Sequence, residues 1–384
     1  MGLSAVGVLT RDFADPYTAR SLRDEDYVEV FRHRDMADTI GRLRRHGVAA
    51  VVPGDQMALE YSDLFADALN LTGNPADTVA ARFNKATMKA HWDRHGVPCA
   101  GWFESGDLGE VLAWSERRGY PVVLKPNAST GSCHVFVCAD EHEVVKAFEV
   151  ITQVPDPDGN RYDTVLAEEY LDGDEYFMNL LHDGTGHSEV VSLARYEKLQ
   201  RDGRASIYRT IRSMPLDDPL VSEVLPHIQA ANAAIGVRIG INDTEFKMTS
   251  RGLRVIEVNN RLPGAGTPRM IHRCSGLNCY QETVRLFLGE HTPPAGPYRF
   301  DRHYAVCCLV NDHAGRVTGY EGLDEVGRLP SYAETRIIAD VGRDWPVTTD
   351  LASAWALVWL VNEDQEQLDR DTATVHSRMR VVVA

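Results

Sequence analysis

The sequence predicts an α/β protein of several domains, and three observations carry that prediction. Up to about Asn84, short apolar runs alternate with helical stretches, the pattern of a small parallel α/β domain. Beyond it, helices separate pairs of strands joined by short polar loops. A chain of 384 residues is also too long for one ordinary hydrophobic core and should divide into two or three domains.

In the first domain AVGVLT (5–10), YVEVFR (27–32) and VAAVVPG (48–54) read as strands. DMADTIGRLRRHG (35–47) and DQMALEYSDLFADALNL (55–71) read as helices. The domain has neither GxGxxG after a strand nor GxxxxGK[ST], so it carries no dinucleotide fingerprint and no P-loop. An α/β pattern alone says nothing about function. Next come a helix at NKATMKAHWDRHG (84–96), an extended CAGWFES (99–105) and a helix at DLGEVLAWSERRG (107–119), followed by strand pairs. From about Pro297, strands at HYAVCCLV (303–310) and RIIADVG (336–342) are expected. A helix around DLASAWALVWLVNE (350–363) and a last strand in RMRVVVA (378–384) complete a small α+β domain.

Composition bounds the partners. A charged fraction of 25% and a hydrophobic fraction of 43% are ordinary for a soluble globular protein. The net charge of −16 argues against a nucleic-acid partner, which needs a basic stripe, and fits anionic lipid poorly. The opening MGLSAVGVLTRDF lacks the length and flanks of a signal peptide and reads as a first strand. No apolar run approaches the roughly 20 residues needed to span a bilayer. Seven cysteines without CxxC spacing support neither a zinc ribbon nor a dithiol site, and read as reduced, buried thiols of a cytoplasmic protein.

The strand pairs hold the chemistry. YPVVLKPNASTGSCHVFVCAD (120–140) reads as a hairpin whose tip, Asn127, Ser129, Thr130, Gly131 and Ser132, offers N–H groups and hydroxyls to an anion, or is a plain solvated turn. Alternation from Val123 turns Lys125 inward, where a buried lysine needs a partner and a nucleotide phosphate would supply one. In DTVLAEEYLDGDEYFMNLL (163–181) a strand runs into Glu168 and Glu169, with Tyr170, Leu171 and Glu175 following. Such acids are either solvated or bracket an adenosine.

INDTEFKMTSRGLRVIEVNNRLPGAG (241–266) is the most informative stretch. Two strands flank Ser250, Arg251 and Gly252, and pairing Thr249 with Leu253 and Lys247 with Val255 brings Glu245 opposite Glu257. Asn259 follows on the same face. Like charges in direct opposition need compensation, either from Lys247 or from Mg²⁺ held by two carboxylates and an amide oxygen. Arg261 continues that parity, with a guanidinium suited to a phosphoryl or carboxylate group. The glycine-rich PGAG brings Arg269 into range as a second substrate clamp, its alternative being a solvated loop arginine.

In the order of these features the chain resembles the ATP-grasp superfamily over roughly residues 1 to 290, and within it the carboxylate–amine ligases that make dipeptides, the L-amino acid ligases. NKATMK, YPVVLKPNASTGSCHV, LAEEYLDGDEY, DTEFKM and RVIEVNNRLPG carry the likeness. It implies an N-terminal domain at 1–95, a lid region at 96–180, a core with the metal site at 181–295 and a C-terminal domain at 296–384. It implies ATP as cosubstrate, with Lys85 and Lys125 on its phosphates and Ser129, Gly131 and Ser132 covering them. Glu168 to Leu171 would line the adenine and Glu175 the ribose. Glu245, Glu257 and Asn259 would hold Mg²⁺, or Mn²⁺ in its place, and Arg261 would steady the transferred phosphoryl group or the tetrahedral intermediate. Amino acids are the implied partners, and a homodimer is allowed. His134 stands where glycine is frequent in such proteins, and Arg195 and Lys198 stand within reach of the γ-phosphate. A biotin-carboxylase-like enzyme, a γ-glutamyl-type ligase and a non-catalytic nucleotide-binding protein are the alternatives.

Overall fold

The computed structural model describes residues 2–10, 22–129, 133–155, 161–201 and 204–384. In the N-terminal part β1 (Val6–Leu9) and β2 (Glu29–Arg32) pair in parallel, and helices α1 (Met36–His46) and α2 (Leu59–Leu69) follow. Asp35 caps the start of α1 by accepting from the Asp38 N–H, and Gly47 ends it in the left-handed region. The expected third strand at 48–54 forms no ladder, although Val48 and Val51 pack on the cluster of Phe31, Ile40, Leu43 and Phe65. Burial satisfies that apolar run without sheet pairing.

Helices α3 (Val79–Phe83) and α4 (Lys85–His95) lead to a four-stranded antiparallel lid sheet of order β3-β6-β4-β5. Its strands are β3 (Trp102–Ser105), β4 (Val122–Lys125), β5 (Phe136–Cys138) and β6 (Val165–Glu169), with helices α5 (Leu108–Arg118) and α6 (Glu141–Gln153) packed on it. The β4–β5 hairpin forms as expected, with Val123 opposite Val137.

An eight-stranded antiparallel sheet is the body of the molecule. It contains β7 (Asp174–Asp183), β8 (Ser188–Arg201), β9 (Arg204–Ser213), β10 (Ile239–Thr249) and β11 (Gly252–Asn259). Helix α7 (Pro219–Ala234) covers one face, burying Val224, Ile228 and Ala231 against Met178, Leu180 and Phe246. After α8 (Thr267–Ser275) and α9 (Cys279–Leu288), strand β12 (His303–Leu309) adds to this same sheet. The remaining elements are β13 (Gly315–Glu321), α10 (Leu323–Val326), β14 (Tyr332–Ile337), β15 (Asp344–Trp345), β16 (Ala356–Asn362), α11 (Gln365–Arg378) and β17 (Arg380–Val383). The order is β11-β10-β7-β8-β9-β12-β16-β14, while β15-β13-β17 form a separate small sheet.

Three expectations change. The run ALVWLVN is strand β16 rather than a helix, because its apolar residues are buried on both faces of a central strand. The helix lies after it, at α11. The boundaries near 180 and 295 also do not separate independent sheets: β7 belongs to the core, and β12, β16 and β14 extend that core edge to edge.

Candidate active site

Lid and core sheets face each other across a cavity of about 390 Å³. The lid lends Val123, Lys125, Glu168 and Glu169; the core lends Glu175, Phe177, Tyr196, Lys198, Tyr208, Ile211, Asp243, Glu245, Lys247, Ile256, Glu257 and Asn259. Val135, Val137, Lys85, Ser129, Tyr170, Leu171, Arg261, Pro263, Gly264, Ala265, Thr267 and Leu351 complete the wall. Most of the expected site residues thus converge here. Gly131 and Ser132, with Thr130, lie outside the described residues.

The β10–β11 hairpin places Glu245 opposite Glu257 and Asp243 opposite Asn259, by a different route from the expected one. Near the turn Thr249 pairs with Gly252 and Phe246 with Val255, so the expected pairs Thr249–Leu253 and Lys247–Val255 do not form. A bulge at Ile256 then shifts the register by one. As a result Ile256 and Glu257 both line the cavity while Val255 and Val258 are buried in the core on the other side. Without the bulge, alternation from Val255 would give Ile256 the cavity face and send Glu257 into the apolar core. Gly252, at φ +81°, supplies the conformation that the turn requires.

Electrostatics at the pair favour a cation. Burial, then Asp243 and Glu257, push the Glu245 carboxyl up to about 8, and Tyr196 Oη donates to its Oε1 at 3.4 Å. Burial likewise pushes Asp243 to about 6, although Arg261 and the Asn179 amide at 2.9 Å oppose the shift. Lys85 Nζ stands 2.8 Å from Glu257 Oε1 and also donates to Ser129 O at 2.8 Å. Among the described residues no group of three or more His, Cys, Asp or Glu side chains is placed to hold a metal ion by itself. Two carboxylates and an amide oxygen fit Mg²⁺ in the form that draws its remaining ligands from phosphate and water.

Two further ion clusters line the walls. A single oxygen of Glu168 lies 2.8 Å from Lys125 Nζ and 3.0 Å from Lys89 Nζ. Burial works against both charges of the Glu168–Lys125 pair, but their attraction prevails, lowering the Glu168 pKa and raising that of Lys125. The inward lysine foreseen for a phosphate therefore has a carboxylate partner within the chain. Glu175 meets Lys198 at 2.5 Å and Lys247 at 3.8 Å, so Lys247 serves Glu175 rather than the Glu245–Glu257 pair. Lys247 also donates to Leu171 O at 2.9 Å, while Lys198 lies over the Tyr208 ring at 4.4 Å.

Other expected roles change. Glu169 lines the cavity, but its carboxylate is engaged by Arg118, Arg251 and the Gly101 N–H. Asn127 turns from the hairpin tip to Glu104 and Thr164, anchoring the hairpin base. His134 has φ +57°, the left-handed conformation that explains why glycine suits this position. Arg195 pairs with Asp174 at the surface, away from the cavity that Lys198 lines. Arg261 lines the cavity and donates to Leu262 O at 2.8 Å. Arg269 does not line the cavity: both oxygens of Glu334 hold its Nη1, at 3.0 and 2.9 Å.

Sequence reasoning missed Asp243, Lys89, Tyr196 and Leu351. Asp243 was legible two residues before Glu245 on the same strand face, and Lys89 four residues after Lys85 on the same helix face. Leu351 had no local signal, since it arrives from a C-terminal loop.

A model of the ATP-grasp domain matches residues 118–269, which contain the β4–β5 hairpin, both acidic clusters and the carboxylate pair. Dapdiamide A synthase of Enterobacter agglomerans is 30% identical over 239 residues, covering 62% of this chain and 56% of that protein. The L-arginine-specific L-amino acid ligase of Bacillus subtilis is 21% identical over 217 residues, covering 56% of this chain and 52% of the relative. The chain thus spans about half the length of the curated relatives it matches. Among solved structures, an L-amino acid ligase from Bacillus licheniformis has a TM-score of 0.81 at 17% identity, covering 100% of this chain and 99% of that one. Most of the cavity wall thus falls within residues 118–269, which match the ATP-grasp domain, and the chain as a whole shares its fold with that L-amino acid ligase.

Proposed function

We propose that the chain is an ATP-dependent carboxylate–amine ligase that joins amino acids by a dipeptide-type amide bond and releases ADP and phosphate. The observation that carries this reading is the Glu245–Glu257 pair, set beside Arg261 and facing a wall of lysines in one cavity. The similarity to dapdiamide A synthase and to the L-arginine-specific L-amino acid ligase supports the substrate class.

In the first step a substrate carboxylate oxygen attacks the γ-phosphorus of ATP, the bond to the β–γ bridging oxygen breaks, and ADP leaves with an acyl phosphate formed. In the second, an amine nitrogen attacks the acyl carbon, the carbon–oxygen bond to phosphate breaks, and the nitrogen gives up its proton. Bound at Glu245, Glu257 and Asn259, Mg²⁺ would neutralise phosphate charge. Lys85 and Lys125 face the same phosphates, and Arg261 faces the charge that develops on the phosphoryl group and then on the tetrahedral oxyanion. Glu175 and the strip from Glu168 to Leu171 face the nucleoside. Phe177, Ile211 and Leu351 form the apolar wall that keeps water from the acyl phosphate. No side-chain nucleophile is required, so positioning and charge neutralisation carry the catalysis.

A Cβ built on Gly264 meets nothing within 4 Å, which supports a pocket beside Arg261 for acids larger than alanine. Phosphate release across amino acid pairs, with product masses, tests the reading. Release that depends on both an acid and an amine supports it. Release that depends on biotin and bicarbonate would favour a carboxylase, and no release a binding module. Glu257→Gln should lower turnover by about two orders of magnitude or more, since it removes a charge from a site that acts by neutralisation. Full activity in that variant would rule out the metal assignment.

A further inference from the structure

The loop after Arg261 has an unrelaxed backbone. Ala265 sits at φ +52° and Gly266 at φ +71°, and Ala265 has a side chain that disfavours this region. Pro263, Gly264 and Ala265 nevertheless line the cavity, so something outside the loop must hold them there.

That support comes from the C-terminal strands. Trp359 on β16 is fully buried, and its indole Nε1 donates to Ala265 O at 2.8 Å. A Cβ on Gly266 would fall 2.7 Å from the same Nε1 and 2.9 Å from two carbons of the ring, so loop and indole are moulded to each other. On the Trp359 ring lies the Arg269 guanidinium, 4.8 Å from its centroid. Arg269 is in turn gripped by Glu334, which β14 places directly beside Trp359 in the ladder with β16. Trp359 shares one apolar cluster with the cavity residues Phe177, Tyr208, Ile211 and Leu351. The packing is thus continuous from the C-terminal sheet to the wall.

We propose that Trp359, clamped by Arg269 and Glu334, is a positioning residue for the loop from Arg261 to Gly266 and so sets where the acyl-donor carboxylate rests against Arg261. The assignment rests on the ligase reading for its kinetic consequence alone. A reacting carboxylate must be held to within a few tenths of an ångström, and a loop without its own regular structure cannot supply that precision. The platform supplies it through a carbonyl hydrogen bond and a stacked cation.

The experiment compares wild type with Trp359→Phe, which keeps a ring but loses the donor, and with Arg269→Gln, which loses the clamp. In the substrate-free protein, hydrogen exchange is followed at the Thr267 and Arg269 amides, which donate to Gly264 O and Gly266 O at 3.0 Å. In Trp359→Phe their exchange should quicken about tenfold, and KM for the carboxylate substrate should rise about tenfold, the size of one lost hydrogen bond. KM for ATP should stay at its wild-type value, and the melting temperature should fall only by the few degrees that a smaller ring costs in a packed core. Arg269→Gln should move the same quantities in the same direction by a smaller factor. Wild-type exchange and wild-type carboxylate KM in Trp359→Phe would overturn the proposal. So would equal losses in both KM values, the mark of a merely structural tryptophan. A wild-type protein that releases no phosphate would sink the ligase reading, and the exchange measurement alone would then decide whether the platform holds the loop.

Discussion

Glu245 lies half-buried on the cavity wall beside Asp243 and Glu257, and its carboxyl is pushed up to about 8, by loss of solvation first and by those two carboxylates next. A raised carboxyl pKa means that the folded chain binds more protons than the unfolded one, so stability is full below the ordinary value of 4.5 and falls as pH rises through 8. His182 and His376, both lowered by burial to about 4, work in the opposite sense below 6.5, which leaves the interval from 6.5 to 8 for reading Glu245. The metal-free protein should therefore melt at a lower temperature at pH 8 than at pH 6.5. Glu245→Gln should flatten that slope, and Mg²⁺ with ADP should restore the melting temperature at pH 8. A wild-type melt that does not vary across the interval would contradict the assigned environment. The same crowding explains the paired lysines: Glu257, Glu168 and Glu175 each stand beside one, and a cation at the Glu245–Glu257 pair would act in the same way.

At the scale of elements, the β10–β11 hairpin works because of one extra residue. Its turn half is in register for packing Phe246 and Val255 against α7, and its far half is in register for the site. The bulge at Ile256 reconciles the two. Where β6 passes into β7, Gly173 performs a comparable service. It sits at φ +134°, and a Cβ there would fall 2.1 Å from Met248 O, so the chain leaving the Glu168–Leu171 segment can lie on β10 only with glycine at this point. Gly173→Ala should cost roughly 3 kcal/mol or more, since backbone must move and a left-handed conformation is lost. Urea unfolding measures the stability, and nucleotide titration should show weakened binding. Wild-type stability and affinity together would show that the contact relaxes without cost.

Across the whole molecule, a buried arginine is among the contacts that fasten the N-terminal part to the core. Arg82 meets Asp63 Oδ2 at 2.9 Å and donates to Ile235 O at 2.9 Å, with the Asp63 carboxylate also receiving the Asn74 N–H. Burial raises the Asp63 pKa and lowers that of Arg82, so neither charge is comfortable without the other. Removing one member of such a pair strands the other. Arg82→Met should therefore destabilise the protein by about 3–5 kcal/mol in chemical denaturation. An apolar replacement of both residues should recover much of that loss. At the opposite end, β12, β16 and β14 continue the core sheet, so the C-terminal strands that carry Trp359 and Glu334 belong to the same body as the cavity.

By itself the sequence determined the features that are local. Alternation turned Lys125 inward, a hairpin formed around Gly252, and the stretches that begin at Asp35 and Asn84 formed helices. Period and parity are read within a few residues, and that is why these survived. The tertiary structure alone decided matters that depend on residues far apart in the chain. The partner of Lys125 is Glu168, 43 residues on, and that of Arg269 is Glu334, 65 residues on. ALVWLVN reads as helix or strand until its two neighbouring strands are in place, because a run buried on both faces carries no period. The bulge at Ile256 was hidden for a related reason. Only the competition between the α7-facing core and the cavity shows where the strand must slip, and the local sequence contains one side of that competition alone.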